Sequence, residues 1–449
     1  MATNSNLNLS INPAGLSRRQ VLYSLVATTS AASFAGTSLW STATAADTWE
    51  PLNRFPRMTH EFFVDQAKAS ATRHLERLNR LQTKSDAQQY VRDVQQRIAR
   101  SFGPQPQRTP LNPRVTKTTQ RDGYRIENVI FDSRPGFPVT ANLYVPTQSQ
   151  TPMPGVVGTC GHSSNGKAEK AYQSFAQGLA RQGYVCLIYD PIGQGERLQY
   201  VNEKLGSKIG VGVAEHLHAG NQQFLVGEFF GMWRAWDGMR ALDYLMTRPE
   251  VDKQRIGVTG NSGGGTMTTW LCGLEQRWSM AAPSCFVTTF LRNLENELPA
   301  DTEQCPPAAL ALGLDHADFL AAMAPKPVII LAKERDYSTS MDRRKFYQRL
   351  RRSIVSSEAE ENIALFYGPT GHGYSQENWR EAMYSWFNRV AAISGDTAGR
   401  GFDGVLETTA SGSVFRRAGD RYRRRSDVGV PEQGQVATEP ATRTIRLHR

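Results

Sequence analysis

The chain lacks the sequence features that are typical of zinc-binding and nucleic-acid-binding proteins. Its 449 residues include only five cysteines, and no two of them form the Cys-x-x-Cys spacing that indicates a zinc site. Lysine and arginine number 52 against 42 aspartates and glutamates, but this positive excess is spread along the chain without a dense basic stretch. The composition therefore predicts a globular protein with a substantial core and no nucleic-acid partner.

Long apolar runs are also lacking. The most apolar stretch near the N-terminus, residues 21–39, contains too many threonines, serines and glycines for a comfortable membrane span. It follows Ser17-Arg18-Arg19-Gln20, which resembles a twin-arginine export signal, and it precedes Ala43-Thr44-Ala45, whose small residues suit cleavage. We therefore predict that residues 1–46 are an export signal and that the protein is periplasmic or secreted, without a stable membrane span. A disordered tail or an uncleaved anchor is the alternative.

The five cysteines divide into two groups. Cys160, Cys186 and Cys272 lie in or beside apolar stretches, which predicts buried and unreactive thiols. Cys285 and Cys305 flank a polar connection, and in an oxidising compartment they could form a disulfide. Because the total is odd, at least one thiol stays free.

The spacing of apolar residues predicts an α/β fold. Residues 58–101 predict two helices, and the second opens with Ser85-Asp86-Ala87-Gln88, which is typical of a capping box. From residue 123, two strands flank a turn at Arg134-Pro135-Gly136. Further strands are predicted near 155–159, 184–189, 256–259, 279–283, 327–332 and 363–367, and helices near 169–182, 224–247, 263–275, 341–352 and 377–392. This alternation predicts a mostly parallel central sheet with helices on both faces, preceded by a short helical segment.

The C-terminus has a different character. From residue 401 onward the chain has nine arginines, no lysine and few large apolar side chains. Such a segment cannot bury enough apolar surface to offset the entropy that it would lose on ordering. We therefore predict that residues 396–449 form a disordered, basic tail.

One serine lies on a turn that is nearly free of side chains. In the segment Gly260-Asn261-Ser262-Gly263-Gly264, a predicted strand comes directly before and a predicted helix directly after. Strand, Gly-x-Ser-x-Gly and helix form the arrangement of a nucleophile elbow, in which the serine takes a strained backbone conformation. The glycines remove side chains that would collide at so sharp a turn. Ser262 is therefore the predicted nucleophile.

An activated serine needs a base, and the base needs an orienting carboxylate. Three of the eight histidines follow Ser262, and His372 is the one that follows a predicted strand in a glycine-rich loop. Asp336 comes just after the preceding predicted strand, which places the acid between nucleophile and base in the chain. The sequence predicts His372 as the base and Asp336 as the acid. The alternatives for the acid are Glu334, Asp342 and Glu303.

Backbone amides would complete this site. The amide of Gly263, directly after the nucleophile, is one expected donor to the negative charge that develops on the substrate oxygen. The loop at Gly161-His162 is expected to supply the second donor, and the sequence does not indicate which of its two amides points inward. The His162 side chain could touch the substrate or pack within its loop.

The sequence predicts neither a cofactor nor a metal. Gly193-Gln194-Gly195 lacks the third glycine and the strand-helix context of a dinucleotide-binding fingerprint. Glu215-His216-Leu217-His218 has two imidazoles but no further cluster of ligands beside it in the sequence.

Together these motifs resemble an α/β-hydrolase of the acetyl xylan esterase-like group, which is related to dienelactone hydrolases and prolyl oligopeptidase catalytic domains. The resemblance covers about residues 120–393 and includes the segments "GHSSNGK", "YDPIGQGER", "RIGVTGNSGGG", "KERDYS" and "GHGYS". It implies Ser262 as nucleophile, Asp336 as acid and His372 as base. Dienelactone hydrolases place cysteine where this chain has Ser262, and glucuronoyl esterases usually carry arginine where it has Gly263.

The predicted organisation has four segments, namely an export signal (1–46), an N-terminal helical extension (47–115), an α/β-hydrolase catalytic domain (116–395) and the tail (396–449). The function that the resemblance implies is an exported serine hydrolase acting on small-molecule or polysaccharide esters, in particular acetyl esters of carbohydrates. A serine peptidase of the oligopeptidase type is one alternative, and a non-catalytic binding protein on a hydrolase scaffold is the other.

Overall fold

The computed structural model describes residues 57–147, 152–297, 300–336, 360–373, 377–393 and 405–407. The chain divides into two compact units, 1–58 and 59–449, and the described residues belong almost entirely to the second. The predicted export signal and most of the predicted tail lie outside the described residues, as does the helix predicted at 341–352. Among the described residues, no helix combines the length and the apolar character that a membrane crossing requires.

Two helices precede the sheet, as the sequence predicts: α1 (Met58–Asn79) and α2 (Lys84–Phe102). The capping box of α2 lies two residues earlier than predicted, because Thr83 and not Ser85 is the N-cap. The Thr83 hydroxyl accepts a hydrogen bond from the Asp86 amide at 3.1 Å, and the Asp86 carboxylate accepts one from the Thr83 amide at 2.9 Å. The apolar stripe of α2 then packs into the core of the domain.

A single sheet forms the centre of the domain. Its strands are β1 (Arg114–Arg121), β2 (Tyr124–Arg134), β3 (Phe137–Pro146), β4 (Met153–Thr159), β5 (Val185–Tyr189), β6 (Val251–Asn261), β7 (Met280–Ser284), β8 (Val328–Arg335), β9 (Ile363–Gly371) and β10 (Val405–Glu407). They lie side by side in the order β1-β2-β3-β5-β4-β6-β7-β8-β9-β10. The pairs from β1 to β5 in this order are antiparallel, and every pair from β5 to β10 is parallel.

Helices cover both faces of the sheet. In chain order they are α3 (Lys170–Arg181), α4 (Val213–Leu225), α5 (Phe230–Thr247), α6 (Gly263–Leu274), α7 (Phe290–Glu295), α8 (His316–Ala321) and α9 (Glu377–Val390). Apolar side chains of α3 and α9 form the core on one face, and those of α2, α5, α6 and α8 form the core on the other. The predicted mostly parallel sheet with helices on both faces is therefore confirmed.

The structure differs from the sequence-based prediction at several elements, among them the short helices α7 and α8, which were not predicted. The helix predicted at 224–247 is two helices, α4 and α5, which are separated by a turn where Gly227 has φ +76°. Strand β1 was not predicted, because its side chains are largely exposed and show no alternation. Within the segment predicted to be a disordered tail, β10 pairs in parallel with β9, since Val405 and Leu406 suit a strand.

Candidate active site

The predicted nucleophile lies at the carboxyl end of β6, in the middle of the parallel part of the sheet. Ser262 has φ +61° and ψ −122°, a left-handed backbone conformation that L-residues rarely adopt. Its amide donates a hydrogen bond to the Ser284 carbonyl at 3.0 Å, and its carbonyl accepts one from the Thr266 amide at 2.9 Å. These contacts hold the strained residue between the end of β7 and the first turn of α6.

The glycines of this turn allow a neighbouring strand to come very close. A Cβ atom at Gly260 would lie 2.5 Å from the Thr159 carbonyl oxygen, and one at Gly264 would collide with the same oxygen. The Thr159 hydroxyl fills the remaining space and donates a hydrogen bond to the Gly264 carbonyl at 2.6 Å. Both positions therefore require glycine, which is the role that the sequence predicts for them.

His372 and Asp336 lie in contact at the carboxyl ends of β9 and β8. His372 Nδ1 is 3.0 Å from Asp336 Oδ1, and the Asp336 side chain is buried. Because a carboxylate only accepts hydrogen bonds, this contact places the proton of a neutral imidazole on Nδ1 and leaves the lone pair on Nε2. The structure thus brings the predicted acid and the predicted base into contact.

Two of the three alternative acids, Glu334 and Glu303, lie within the described residues. Glu334 is exposed near the end of β8, and Asp342 lies outside the described residues. Glu303 is fully buried and forms an ion pair with Arg234 of α5. Among these carboxylates, Asp336 is the one with a hydrogen bond to His372 in the described part of the chain.

The structure distinguishes the two amides of the Gly161-His162 loop. The Gly161 amide donates to the Tyr172 hydroxyl at 2.6 Å and is therefore already used. The His162 and Gly263 amides have no acceptor among the described residues. A Cβ atom at Gly161 would lie 3.1 Å from Ser262 Cβ, so the loop passes directly beside the serine. Two unpaired amides thus lie in the segments next to Ser262, where an oxyanion could accept from both.

A second histidine–aspartate pair lies beside the same turn. His162 Nε2 is 2.7 Å from Asp301 Oδ2, and His216 Nδ1 is 2.6 Å from the same oxygen. Burial by itself would raise the pKa of Asp301, but the hydrogen bonds from the two imidazoles lower that pKa well below its usual range. His216 Nε2 also lies 2.8 Å from the Ile192 carbonyl oxygen. Because a carbonyl and a carboxylate both accept, His216 donates to both only as an imidazolium, whereas a neutral His162 donates to the buried Asp301 carboxylate through Nε2.

Four side chains around this pair could surround a cation: His162, His216, Asp301 and Glu303. Each already has a partner, because Asp301 contacts both imidazoles and Glu303 contacts the Arg234 guanidinium. Sequence analysis noted the two histidines but missed their connection, since Asp301 follows β7 and is far from both in the chain. A signal in the sequence was the polar run Asp301-Thr302-Glu303 in the connection after the strand predicted at 279–283.

The cysteines do not form the disulfide considered from the sequence. All five are free thiols. Cys285 is buried at the end of β7 and Cys305 is exposed after a short 3₁₀ helix at Thr302–Gln304, so the two thiols lie in different environments. Burial, with a smaller effect of the Asp336 charge, raises the pKa of Cys285 to about 12. Cys160, Cys186 and Cys272 are buried as predicted.

Two protein families match parts of the chain. Residues 95–302 match the acetyl xylan esterase family, and residues 229–393 match the prolyl oligopeptidase family. The Bacillus subtilis protein YtaP is 25% identical over 198 residues, which cover 42% of this chain and 62% of YtaP. This chain therefore spans less than two thirds of that relative.

Solved structures share the fold. Methylesterase BT1017 has a TM-score of 0.57 and 24% identity, and the match covers 74% of this chain and 69% of that one. A glucuronoyl esterase from Solibacter usitatus has a TM-score of 0.50 and 16% identity, and the match covers 66% and 91% of the two chains. At these identities the likeness concerns the arrangement of the strands and helices around the sheet.

Proposed function

Because the chain belongs to the α/β-hydrolase superfamily, as a serine hydrolase of the acetyl xylan esterase-like group, we propose that it cleaves carboxylic esters, with acetyl esters of carbohydrates as its substrates. The observation that carries the proposal is the position of Ser262. It lies on a strained turn, beside the two unpaired amides of His162 and Gly263. Asp336 and His372 contact each other at the carboxyl ends of β8 and β9, on the same side of the sheet as Ser262.

The proposed reaction follows from this arrangement. His372 Nε2 takes the Ser262 hydroxyl proton as the serine oxygen attacks the ester carbonyl, and Asp336 stabilises the imidazolium that forms. The His162 and Gly263 amides donate hydrogen bonds to the oxygen that becomes negatively charged. The alcohol then leaves with the proton from His372, and water hydrolyses the acyl-enzyme by the same route.

The test of the substrate class is a panel of p-nitrophenyl esters with acyl chains from acetyl to octanoyl. Each added methylene that does not fit a small acyl pocket raises the activation free energy that governs kcat/KM by about 1–3 kcal/mol. We therefore expect kcat/KM to fall steeply from acetyl to butyryl and beyond. A preference for octanoyl esters would contradict the proposal that acetyl esters of carbohydrates are the substrates.

A second candidate function is a serine peptidase, because residues 229–393 match the prolyl oligopeptidase family. Ester and amide hydrolysis use the same nucleophile, base and oxyanion donors, so the geometry described above serves either reaction. A proline-containing peptide p-nitroanilide, measured beside p-nitrophenyl acetate, separates the two. Turnover of the anilide with a higher kcat/KM than the acetate would favour the peptidase.

We also propose that the protein is exported through the twin-arginine signal at Arg18-Arg19. The support for this is the sequence pattern in residues 1–46, which lie outside the described residues. Replacing both arginines with lysine is expected to leave the uncleaved precursor in the cytoplasm. Equal amounts of the processed form in the periplasm with and without the replacement would contradict export by this route.

A further inference from the structure

The His162 ring is fixed on one side and open on the other. Its Nε2 is anchored by Asp301 at 2.7 Å, and Asp301 is itself held by His216 at 2.6 Å. Asp301 and His216 are at most 2% exposed, whereas the His162 side chain is 20% exposed. Within the described residues, His162 Nδ1 has no hydrogen-bond partner. The Nε2 edge of the ring therefore contacts buried residues, and the Nδ1 edge remains accessible.

The anchor fixes which nitrogen carries the proton. Asp301 is a carboxylate and accepts hydrogen bonds, so in the neutral ring the proton lies on His162 Nε2. Nδ1 then carries a lone pair and acts as a hydrogen-bond acceptor. A rigid acceptor with no protein partner matches a substrate group that donates a hydrogen bond, and it does not match an ester oxygen or a hydrocarbon.

This acceptor lies beside the nucleophile. A Cβ atom at Gly263 would lie 2.9 Å from His162 Nδ1 and 2.7 Å from His162 Cε1. Gly263 directly follows Ser262, and its unpaired amide is one of the two proposed oxyanion donors. The Nδ1 edge of His162 therefore lies beside the residue that follows the nucleophile.

We propose that His162 Nδ1 accepts a hydrogen bond from a hydroxyl group of the substrate on a carbon next to the ester. The enzyme then selects esters of polyols, such as partly acetylated sugars, over simple alkyl esters of the same size. Asp301 is a positioning residue in this arrangement, because it holds the ring and its proton through Nε2. The inference rests on the proposed ester hydrolysis and adds the group that is recognised beside the ester.

The experiment compares two substrates on the full chain. One is a methyl xyloside monoacetate with free hydroxyl groups on both carbons next to the ester, and the other is its counterpart without those two hydroxyl groups. A site that binds a substrate hydroxyl discriminates against the analogue that lacks it, so we expect kcat/KM to be at least about tenfold higher for the hydroxylated ester. Equal values in the wild-type enzyme would overturn the inference and leave ester hydrolysis intact.

Variants then assign the discrimination to His162. In His162→Gln, the side-chain amide can still donate to Asp301 but has no atom at the Nδ1 position, so the ratio of the two kcat/KM values is expected to fall to within about twofold. In His162→Asn, the side-chain oxygen lies near the Nδ1 position, and part of the ratio is expected to remain. The control is His218→Gln on the exposed side of α4, which should keep the wild-type ratio.

The remaining outcomes are also decisive. A His162→Gln enzyme could lose activity on both esters by the same factor, with its circular dichroism unchanged. This result would show that His162 packs within its loop and does not recognise the substrate hydroxyl, and the inference would be wrong. A wild-type enzyme that hydrolyses neither sugar ester nor p-nitrophenyl acetate would contradict the proposed function itself.

Discussion

His372 Nδ1 lies 3.0 Å from Asp336 Oδ1, across the carboxyl ends of two neighbouring parallel strands. The contact joins residues that are 36 positions apart in the chain. It assigns the ring proton to Nδ1 and so presents Nε2 as a base. Loss of the orienting carboxylate should therefore impair proton transfer and leave the fold in place.

The first prediction concerns this carboxylate. Asp336→Asn is expected to lower kcat for p-nitrophenyl acetate at least about a hundredfold, because the amide no longer holds the imidazole in the reactive tautomer. The control is Glu334→Gln at an exposed position of the same segment, which should stay within about threefold of wild type. An Asp336→Asn enzyme with full activity would place the acid elsewhere in the molecule.

The second prediction concerns the space beside the nucleophile. In Gly263→Ala, the new Cβ atom would lie 2.7 Å from His162 Cε1 and 3.0 Å from Glu303 Oε1, so the His162 ring has to move. We expect kcat/KM for p-nitrophenyl acetate to fall at least about tenfold. Gly206→Ala is the control, since the nearest atom to its Cβ, Asn202 Nδ2, would lie 3.4 Å away in the loop between β5 and α4. Equal activity of both variants would show that His162 and Gly263 are not in close contact.

The third prediction concerns His316, a buried histidine on α8. Its ring packs against Phe286 and Phe290, and Nδ1 accepts a hydrogen bond from the Thr288 amide at 3.2 Å. Burial lowers the pKa of His316 to about 3. The unfolded chain therefore binds a proton below about pH 6.5 that the folded chain does not, and stability falls as the pH falls from about 6.5 towards 3.

The measurement is the free energy of unfolding in urea at about pH 7.5 and about pH 5, where His316 alone accounts for a loss of about 2 kcal/mol. Asp315 acts in the opposite sense, because burial raises its pKa to about 6 and the folded chain keeps its proton to higher pH. Comparing wild type with His316→Asn cancels most of this effect, and the variant should lose less stability on acidification. The same pH dependence in both proteins would contradict the assignment.

Much of this architecture is readable from the sequence because its signals are local. The buried strands β4 to β9 are short apolar runs, and the turn at Ser262 shows its geometry through its glycines, so both could be predicted from the chain alone. The order of Ser262, Asp336 and His372 along the chain likewise places three side chains at one sheet edge.

The features that the sequence did not reveal depend on contacts between distant segments. Asp301 joins His162 to His216 from a connection after β7, and no local sequence pattern indicates a carboxylate in contact with two imidazoles. The use of the Gly161 amide by Tyr172, which leaves the His162 amide unpaired, also depends on how α3 packs on the sheet. Such pairings need the folded backbone before they can be recognised.

The central claim, that Ser262 is an activated nucleophile, is tested most directly with a fluorophosphonate probe. The probe reacts with serines that a neighbouring base activates, so it also separates an enzyme from a binding protein on the same scaffold. We expect the wild-type protein to be labelled on the peptide that contains Ser262. Ser262→Ala should be unlabelled and should lose a factor of about 10³ or more in kcat/KM for p-nitrophenyl acetate. Ser279→Ala, at the amino end of β7, serves as the control and should react as wild type does. A folded Ser262→Ala protein that is labelled and active like the wild type would contradict the account.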